Sequence, residues 1–476
     1  MNAIDHPASP PPQPAAMCGR WLELCSAYLP LAEPGSIWRY NRLLSSGDPR
    51  QGWKIHVSAT VLTANDTLEK IAPLLQRRGP MFKAPISLQE LNRINAGIYY
   101  GYTQIGKVIT VYPRDDEELI FLAECLHDLT AGMIAPAVPF DLRLHPDSCI
   151  YYRYGGFERL EIEDPDGRRL LAIRDPNGRL VPDLRDTEMA RPDWVSDPFA
   201  ARRRDLSAPP LVTPLQTTYR AFQALTQRGK GGVYRAYDLS RTPPRLCILK
   251  EGRRGGEVGW DGRDGVWRVR HEERVLRSLS AAGIAAPRVY SSFEAEQNYY
   301  LVTECLRGET LQSFLHRRRR RLPVSVGIRY ARRLATLLSR IHSTGWAWRD
   351  CKPTNLIISR RGELRPLDFE GACPVDQPDP SPWGTPGFIP PEFREDPAAG
   401  RVESRVPEDL YALGALIYLL LTGEIPDSEN FRPLRKLRRG VPAAICDLVS
   451  ELLSPVPHER PAAQSVAERL ARAFHG

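Results

Sequence analysis

In the first 190 residues, short stretches of alternating polar and apolar positions are separated by stretches where apolar positions recur every three or four. WKIHVSATV (53–61) and KVITVYP (107–113) carry the two-residue period of a strand, whereas Ser87 to Ala96 and Glu117 to Leu129 carry the helical period. YYRYGGFERLEI (151–162) and RRLLAIRDPNGRLVPD (168–183) are β-branched and aromatic runs interrupted by Asp-Gly and Asn-Gly, so they predict strands joined by tight turns. Periodicity then lapses in a Pro- and Arg-rich stretch, Arg191 to Pro214. From 219 to 305 strand patterns dominate around one helix, and from 310 to the end helical patterns dominate, with no internal repeat. These patterns predict an α+β chain with a flexible N-terminal lead (1–34), an α+β domain (35–190) and a linker (191–212). A second domain (213–476) follows, with a strand-rich lobe (213–307) ahead of a helical lobe (308–476).

Composition narrows the class. With 42% hydrophobic and 26% charged residues over 476 positions, the chain has the material for two ordinary cores, which excludes disorder or coiled coil as a whole-chain description. Met1 to Ala16 contains no apolar signal core, and the apolar run Leu410 to Leu421 is shorter than the roughly 20 residues of a bilayer span, so no membrane role is expected. Nine cysteines without a CxxC pair or zinc spacing suit a reducing, cytoplasmic setting. The net charge of +8 is too small a bias to indicate nucleic acid, and Arg317 to Arg321 reads as a solvated helix end. The balance is informative once it is split by residue type. Only eight of the 65 basic residues are lysine, and the other 57 are arginine. A lysine kept in such a chain is a candidate for work that guanidinium cannot do, such as losing a proton.

In the second half, Gly229, Gly231 and Gly232, closed by Val233, form a low-bulk loop between two strands that lets backbone N–H groups approach phosphates. The following strand, CILK, ends in Lys250, and a helix then carries Glu272 in position to pair with it. Asp350 and Asn355 in WRDCKPTN, with Lys352 between them, and Asp368 in LDFEG supply a hydroxyl-orienting base, a cation and two hard oxygen ligands for magnesium. This ordered set resembles the protein kinases from Thr213 to Gly476. The resemblance implies ATP and Mg2+ as cofactors, Lys250 and Glu272 as the phosphate-positioning pair, Asp350 as catalytic aspartate and Lys352 as the contact to the transferred phosphate. It also implies Asn355 and Asp368 as metal ligands, and GTPGFIPPE (384–392), Asp409 and Arg460 as structural landmarks. Three positions depart from the family: Trp348 replaces the usual histidine, Glu370 replaces the usual glycine, and only Gly231 aligns with the glycine triplet.

The first half holds Lys54 and His56 on one face of a strand, Lys83 in MFKAP, Lys107 opening KVITVYP, Arg143, and Arg153 in YYRYGGF. Together these are cations suited to a phosphate dianion, plus a group that titrates near neutrality. Clustered cations also disfavour a neighbouring ammonium and so favour a neutral lysine base. Elimination of a phosphoester needs those parts: a base for the α-proton, cations for the leaving phosphate and an acid to protonate it.

The K-x-H strand, the Phe-Lys, GKxxTVYP, YYRYGGF, DPNGRLVPDLR and the DPF near 197 resemble the lyase domain of class III and class IV lanthipeptide synthetases, relatives of the bacterial phosphothreonine lyases. KEGRRGG, DGRDGV and DFEGA continue the resemblance into the kinase half. The resemblance implies a phosphothreonine-lyase-like domain followed by a bilobal kinase, with Lys83 as base, His56 as general acid, and Lys54, Lys107, Arg153 and Arg143 around the phosphate. It implies a dehydratase that phosphorylates Ser and Thr of a ribosomal precursor peptide, docked through its leader, and then expels phosphate. No cyclase domain is expected within this sequence, so ring closure, if any, is expected either of a separate cyclase or to happen spontaneously. A regulatory kinase with an N-terminal phosphopeptide-binding domain is the alternative that the residues leave open, and a non-catalytic scaffold is a third.

Overall fold

The computed structural model describes residues 13–183, 191–200, 212–318, 321–381, 383–392, 404–427 and 431–475. It divides into two compact units, one of residues 1–245, 249–268 and 293–300, the other of residues 246–248, 269–292 and 301–476. The first unit begins with helix α1 (Pro14–Tyr28), strands β1 (Leu31–Ala32), β2 (Trp38–Tyr40) and β3 (Gln51–Val57), and helix α2 (Ala64–Arg78). It continues through β4 (Met81–Pro85), α3 (Leu88–Ala96), β5 (Ile109–Tyr112), α4 (Asp116–Leu129), β6 (Leu142–Arg143) and β7 (Ile150–Gly156). These seven strands form one sheet in the order β1-β2-β4-β5-β3-β7-β6, antiparallel at every step.

Local chemistry sets the helix ends as the sequence predicts. Ser87 caps α3 by accepting from the Glu90 N–H, and Asp115 caps α4 by accepting from Glu118, where three acidic residues face the positive end of the helix dipole. One face of the sheet, including Trp53, Ile55 and Val57 of β3, packs with α1, α2 and α4 in a single apolar core. A separate three-stranded sheet, β8 (Leu160–Glu163), β9 (Arg169–Arg174) and β10 (Leu180–Pro182), is joined by the two expected turns, each with its glycine at positive φ.

Two boundaries differ from expectation. Residues 14–28, placed in the flexible lead, form α1, whose Met17, Trp21, Leu24 and Cys25 recur at helical spacing and enter the core. Pro14 starts that helix at the one position where its missing N–H costs nothing. Residues 1–12 of the lead and 201–211 of the linker lie outside the described residues. The linker's Asp-Pro-Phe belongs to the core: Phe199 is buried against Tyr152, whose hydroxyl donates to Asp197.

Beyond the short helix α5 (Pro214–Thr217) come β11 (Tyr219–Arg228), β12 (Gly231–Asp238), β13 (Arg245–Gly252), α6 (Gly265–Ala281), β14 (Val289–Ala295) and β15 (Asn298–Glu304). These five strands are ordered β11-β12-β13-β15-β14. The second unit is mainly helical, built around α7 (Leu311–Arg318), α8 (Val324–Ser343) and α9 (Val406–Thr422). The apolar run 410–421 is the buried body of α9, and among the described residues no helix is long and apolar enough to cross a membrane. Arg317 and Arg318 end α7 on its solvent side, Arg317 pairing with Glu309.

Trp21 is fully buried and its indole N–H donates to the Pro85 carbonyl at 3.0 Å. Trp21→Ala is therefore expected to lower stability by about 3–5 kcal/mol. Denaturant melts check this, and a loss under about 1 kcal/mol would return α1 to the status of a loose lead.

Candidate functional site

The face of the seven-stranded sheet opposite the apolar core carries the expected cations. Residues directly opposed in an antiparallel pair share a face. The register pairs Lys83 with Thr110, Thr110 with His56, His56 with Tyr151 and Tyr151 with Arg143, one row across β4, β5, β3, β7 and β6. Lys54 and Arg153 oppose each other in the next row on the same face. Lys54, His56, Tyr151 and Arg153 are all buried, although three of them are polar groups that ordinarily seek water.

Carboxylates make that burial tolerable. Asp141 stands on the loop before β6 and takes the His56 Nδ1 at 2.5 Å and the Lys107 ammonium at 3.0 Å. Burial works against the Asp141 carboxylate, but Lys107, His56 and Arg153 outweigh it and keep it well below the usual carboxylate range. Burial likewise holds the His56 imidazole well below its ordinary value, Lys107 and Lys54 adding to the effect and Asp141 opposing it. An ionised carboxylate only accepts, so the neutral ring carries its hydrogen on Nδ1 and offers Nε2 as a base. Arg153 pairs with Asp183 at 2.5 Å, both buried. Tyr151 keeps its proton because burial pushes the phenol up to about 12.

Lys54 and Lys83 line one open cavity of about 490 Å³ together with Tyr112 of β5, Arg159 just before β8, Glu161 of β8 and Arg169 of β9. Each ammonium lies against an aromatic face, Lys83 at 4.2 Å from the Trp38 ring and Lys54 at 5.8 Å from that of Tyr112. Lys107 precedes β5 rather than opening it, and reaches the site through Asp141. Arg143 stands apart: its Nε donates to the Ser148 carbonyl, its guanidinium lies over the Tyr151 ring, and it lines a different cavity with Met133 and Gln297. Asp141, Asp183, Tyr151 and Trp38 had no signal in the sequence beyond the general rule that buried cations need carboxylates nearby.

In the second unit the predicted catalytic segment is assembled in detail. Asp350 Oδ1 accepts from the Thr385 hydroxyl at 3.0 Å, and Lys352 bridges Asp350 Oδ2 and Thr385, both at 2.8 Å. The Asn355 amide N–H groups donate to the Asp350 carbonyl and carboxylate at 3.0 and 2.9 Å, which turns its Oδ1 away as a ligand atom. Buried Asp409 accepts from the backbone N–H groups of Trp348 and Arg349, both at 2.7 Å, and fixes the turn into Asp350. The Trp348 indole donates to the Asp368 carbonyl at 2.8 Å and stacks on Phe369, so the aromatic replacement still ties the two loops together. Arg349 and Asp368 both adopt positive φ, a conformation costly for residues other than glycine and often found at active sites. Carboxylate oxygens of Glu272, Asp368 and Glu370 converge within 4.8 Å. With the Asn355 Oδ1, Asp368 offers the hard oxygen chemistry that suits a divalent cation. Bidentate Arg460–Glu392 contacts at 2.7 and 2.8 Å anchor the end of GTPGFIPPE.

The remaining nucleotide candidates stand in the first unit. Gly229 and Lys230 form the β11–β12 turn, Gly231, Gly232 and Val233 begin β12, and Lys250 lies on β13. The Gly229 N–H is directed to the Ala96 carbonyl at the end of α3, at 3.0 Å, and a Cβ there would lie 1.7 Å from the Asn95 oxygen. Its glycine identity thus answers to a backbone contact with α3, a reason the sequence could not disclose.

Comparison with known proteins finds two families along the chain, the second of which runs through both compact units. Residues 32–208 match the RamC N-terminal domain, and residues 231–470 match the protein kinase domain. A probable SapB synthase of Streptomyces coelicolor is 33% identical over 376 residues, covering 76% of this chain and 40% of that protein. Serine/threonine-protein kinase F of Synechocystis is 27% identical over 275 residues, 53% of this chain and 54% of that protein. The chain thus spans between two fifths and just over half of the length of these relatives. It belongs to the protein kinase family, and its RamC N-terminal domain ahead of the kinase domain is the arrangement of the class III and class IV lanthipeptide synthetases.

Proposed function

We propose that this chain is a bifunctional peptide dehydratase. Its kinase half phosphorylates Ser and Thr of a ribosomally made precursor peptide, recognised through its leader, and its N-terminal half eliminates the phosphate to leave dehydroalanine or dehydrobutyrine. In the first reaction Asp350 orients the peptide hydroxyl and accepts its proton as the γ-phosphoryl group of ATP is transferred, while Lys352 balances charge on that group. Magnesium, when bound, neutralises the triphosphate; Asp368 and the Asn355 Oδ1 would hold it.

In the second reaction Lys83, as the free amine, removes the α-proton. The Cα–H electrons form the new double bond, the Cβ–O bond breaks, and phosphate departs with that electron pair. His56, which takes a proton from solvent onto Nε2 when the phosphopeptide binds, delivers that proton to the departing oxygen, and Lys54, with Arg153 beside it, provides the positive field for the dianion. What supports this reading most is the single sheet face that carries Lys54, Lys83, His56 and Arg153, with a buried His–Asp pair that a purely phosphopeptide-binding surface does not need. The SapB synthase likeness across both halves supports a peptide substrate.

Three outcomes follow. Lys83→Ala accumulates phosphopeptide, seen by mass as added phosphate instead of lost water, with elimination slowed by about 10²-fold or more; fully dehydrated product from this variant would overturn the elimination reading. Asp350→Asn abolishes phosphorylation of unmodified peptide yet still eliminates phosphate from a synthetic phosphothreonine peptide; loss of both would break the division of labour. The third concerns protons. His56 is neutral in the free protein, and the negative charges of a bound phosphate favour its imidazolium, raising its pKa. Calorimetry on the Lys83→Ala protein, in buffers of different ionisation enthalpy near pH 7.5 (roughly one unit above an ordinary histidine), is expected to show proton uptake on phosphopeptide binding. Adding His56→Gln reduces that uptake, and identical uptake in both proteins would remove His56 from the proton path.

A further inference from the structure

Two features of the elimination site are not explained by phosphate binding. His56 keeps only Nε2 for proton transfer, because Nδ1 is engaged at 2.5 Å by Asp141. Lys107, placed by family resemblance among the phosphate-holding cations, has its ammonium 3.0 Å from the other oxygen of the same carboxylate. The side chains of Lys107, Asp141 and His56 are 7%, 1% and 5% exposed, so water screens neither contact. A carboxylate this deep is tolerated only with a compensating cation, and the contact to Lys107 provides one.

We infer that Asp141 is the positioning residue of the elimination reaction, holding His56 in the Nδ1–H tautomer with Nε2 as the proton-delivering atom, and that Lys107 serves to hold Asp141 ionised rather than to bind phosphate. The inference rests on the elimination reading proposed above. Its chemistry is that of an oriented acid–base histidine, in which the carboxylate never takes the proton but fixes the ring and stabilises the imidazolium formed before transfer. Lys107 completes the arrangement by opposing the pull of Asp141 on that proton, so the imidazolium is stabilised enough to form and remains acidic enough to give its proton up. Asp141 lies 85 positions from His56 in the chain, and only the β3–β7–β6 pairing brings them together.

The test uses the full chain and a synthetic phosphothreonine peptide. Asp141→Asn keeps the shape but, with its oxygen toward Lys107, turns an N–H toward Nδ1 and reverses the tautomer. Elimination kcat is expected to fall about 100-fold with KM changed less than about 3-fold, and 15N spectra of histidine-labelled protein should show the His56 pattern switched from Nδ1–H to Nε2–H. Lys107→Gln should lower kcat, not raise KM, and the double variant should be no slower than the worse single one, because residues that act as a unit do not add. Wild-type kcat in Asp141→Asn, a KM rise at unchanged kcat in Lys107→Gln, or losses that multiply would each overturn the inference. Should Asp141→Asn fail to fold, the kcat against KM split of Lys107→Gln decides alone. Lys83→Ala and His56→Gln run alongside separate the two failures. Wild-type elimination by both would sink the elimination reading itself, whereas inactive Lys83→Ala and His56→Gln beside an unimpaired Asp141→Asn would sink only the role of Asp141.

Discussion

Burying positive charge on the second face of a sheet is the constraint on which the N-terminal domain depends. Taking an ammonium or guanidinium out of water costs several kcal/mol even after relaxation. The fold meets that cost with two aspartates that arrive from outside the central strands, Asp141 ahead of β6 and Asp183 just after β10. Each must be brought in by a turn of chain that has no other place in the sheet. The glycines of YYRYGGF fit the same demand: a Cβ on Gly155 would stand 3.1–3.2 Å from the Asp183 carboxylate and 3.1 Å from the Arg153 guanidinium, so the strand stays bare where the ion pair crosses it. The apolar face with α1, α2 and α4 supplies the driving force for folding, and the opposite face takes up charge whose strength grows with exclusion from water.

The helical unit applies the same logic with different residues. Asp409, fully buried, holds two consecutive backbone N–H groups and so sets the strained turn at Arg349 that presents Asp350. Arg349 then reaches Glu408 at 3.1 Å and the Ser381 carbonyl at 2.5 Å, so a carboxylate of the protein itself occupies the arginine beside the catalytic loop. Burial pushes Glu408 up to about 7, and Arg349 and Arg405 together oppose that rise. In both halves a buried acid fixes its neighbour: Asp141 holds the His56 ring, and Asp409 holds the turn that leads into Asp350.

The strand and helix periods made much of this legible. Period two placed Lys54 and His56 on one face, the helical period located α3 and α4, and the ordered kinase motifs pointed to Asp350, Lys352, Asn355 and Asp368, of which Thr385 joins the first two, Asn355 bonds Asp350 and Trp348 holds the carbonyl of the last. The row Lys83–Thr110–His56–Tyr151 was not legible, because the sheet order places β5 between β4 and β3 and pairs β3 with β7, and no local pattern states that order. Asp141 was hidden for the same reason, one of 57 acidic residues until pairing brought it to His56. Helix α1 was obscured by the prolines ahead of it, which suggested an open chain over 1–34, the stretch that contains the whole helix. The linker's Phe199 lay beyond the last periodic stretch, and only its pocket beside Tyr152 shows that it belongs to the core.

The contrast between eight lysines and 57 arginines gains a physical meaning from these geometries. Arginine fills the positions that need a permanent, planar, multiply bonded cation: Arg349 with Glu408, Arg405 with Glu408, Arg460 with Glu392 and Arg153 with Asp183. None of these is asked to change its charge. Lysine stands where charge must be compact or removable: Lys352 between Asp350 and Thr385, and Lys54 and Lys83 against aromatic rings at a cavity wall. Lys107 has the Asp141 carboxylate at 3.0 Å. The same residue type thus takes two settings in this domain, a buried carboxylate for Lys107 and an aromatic ring for Lys54 and Lys83, each suited to a compact cation.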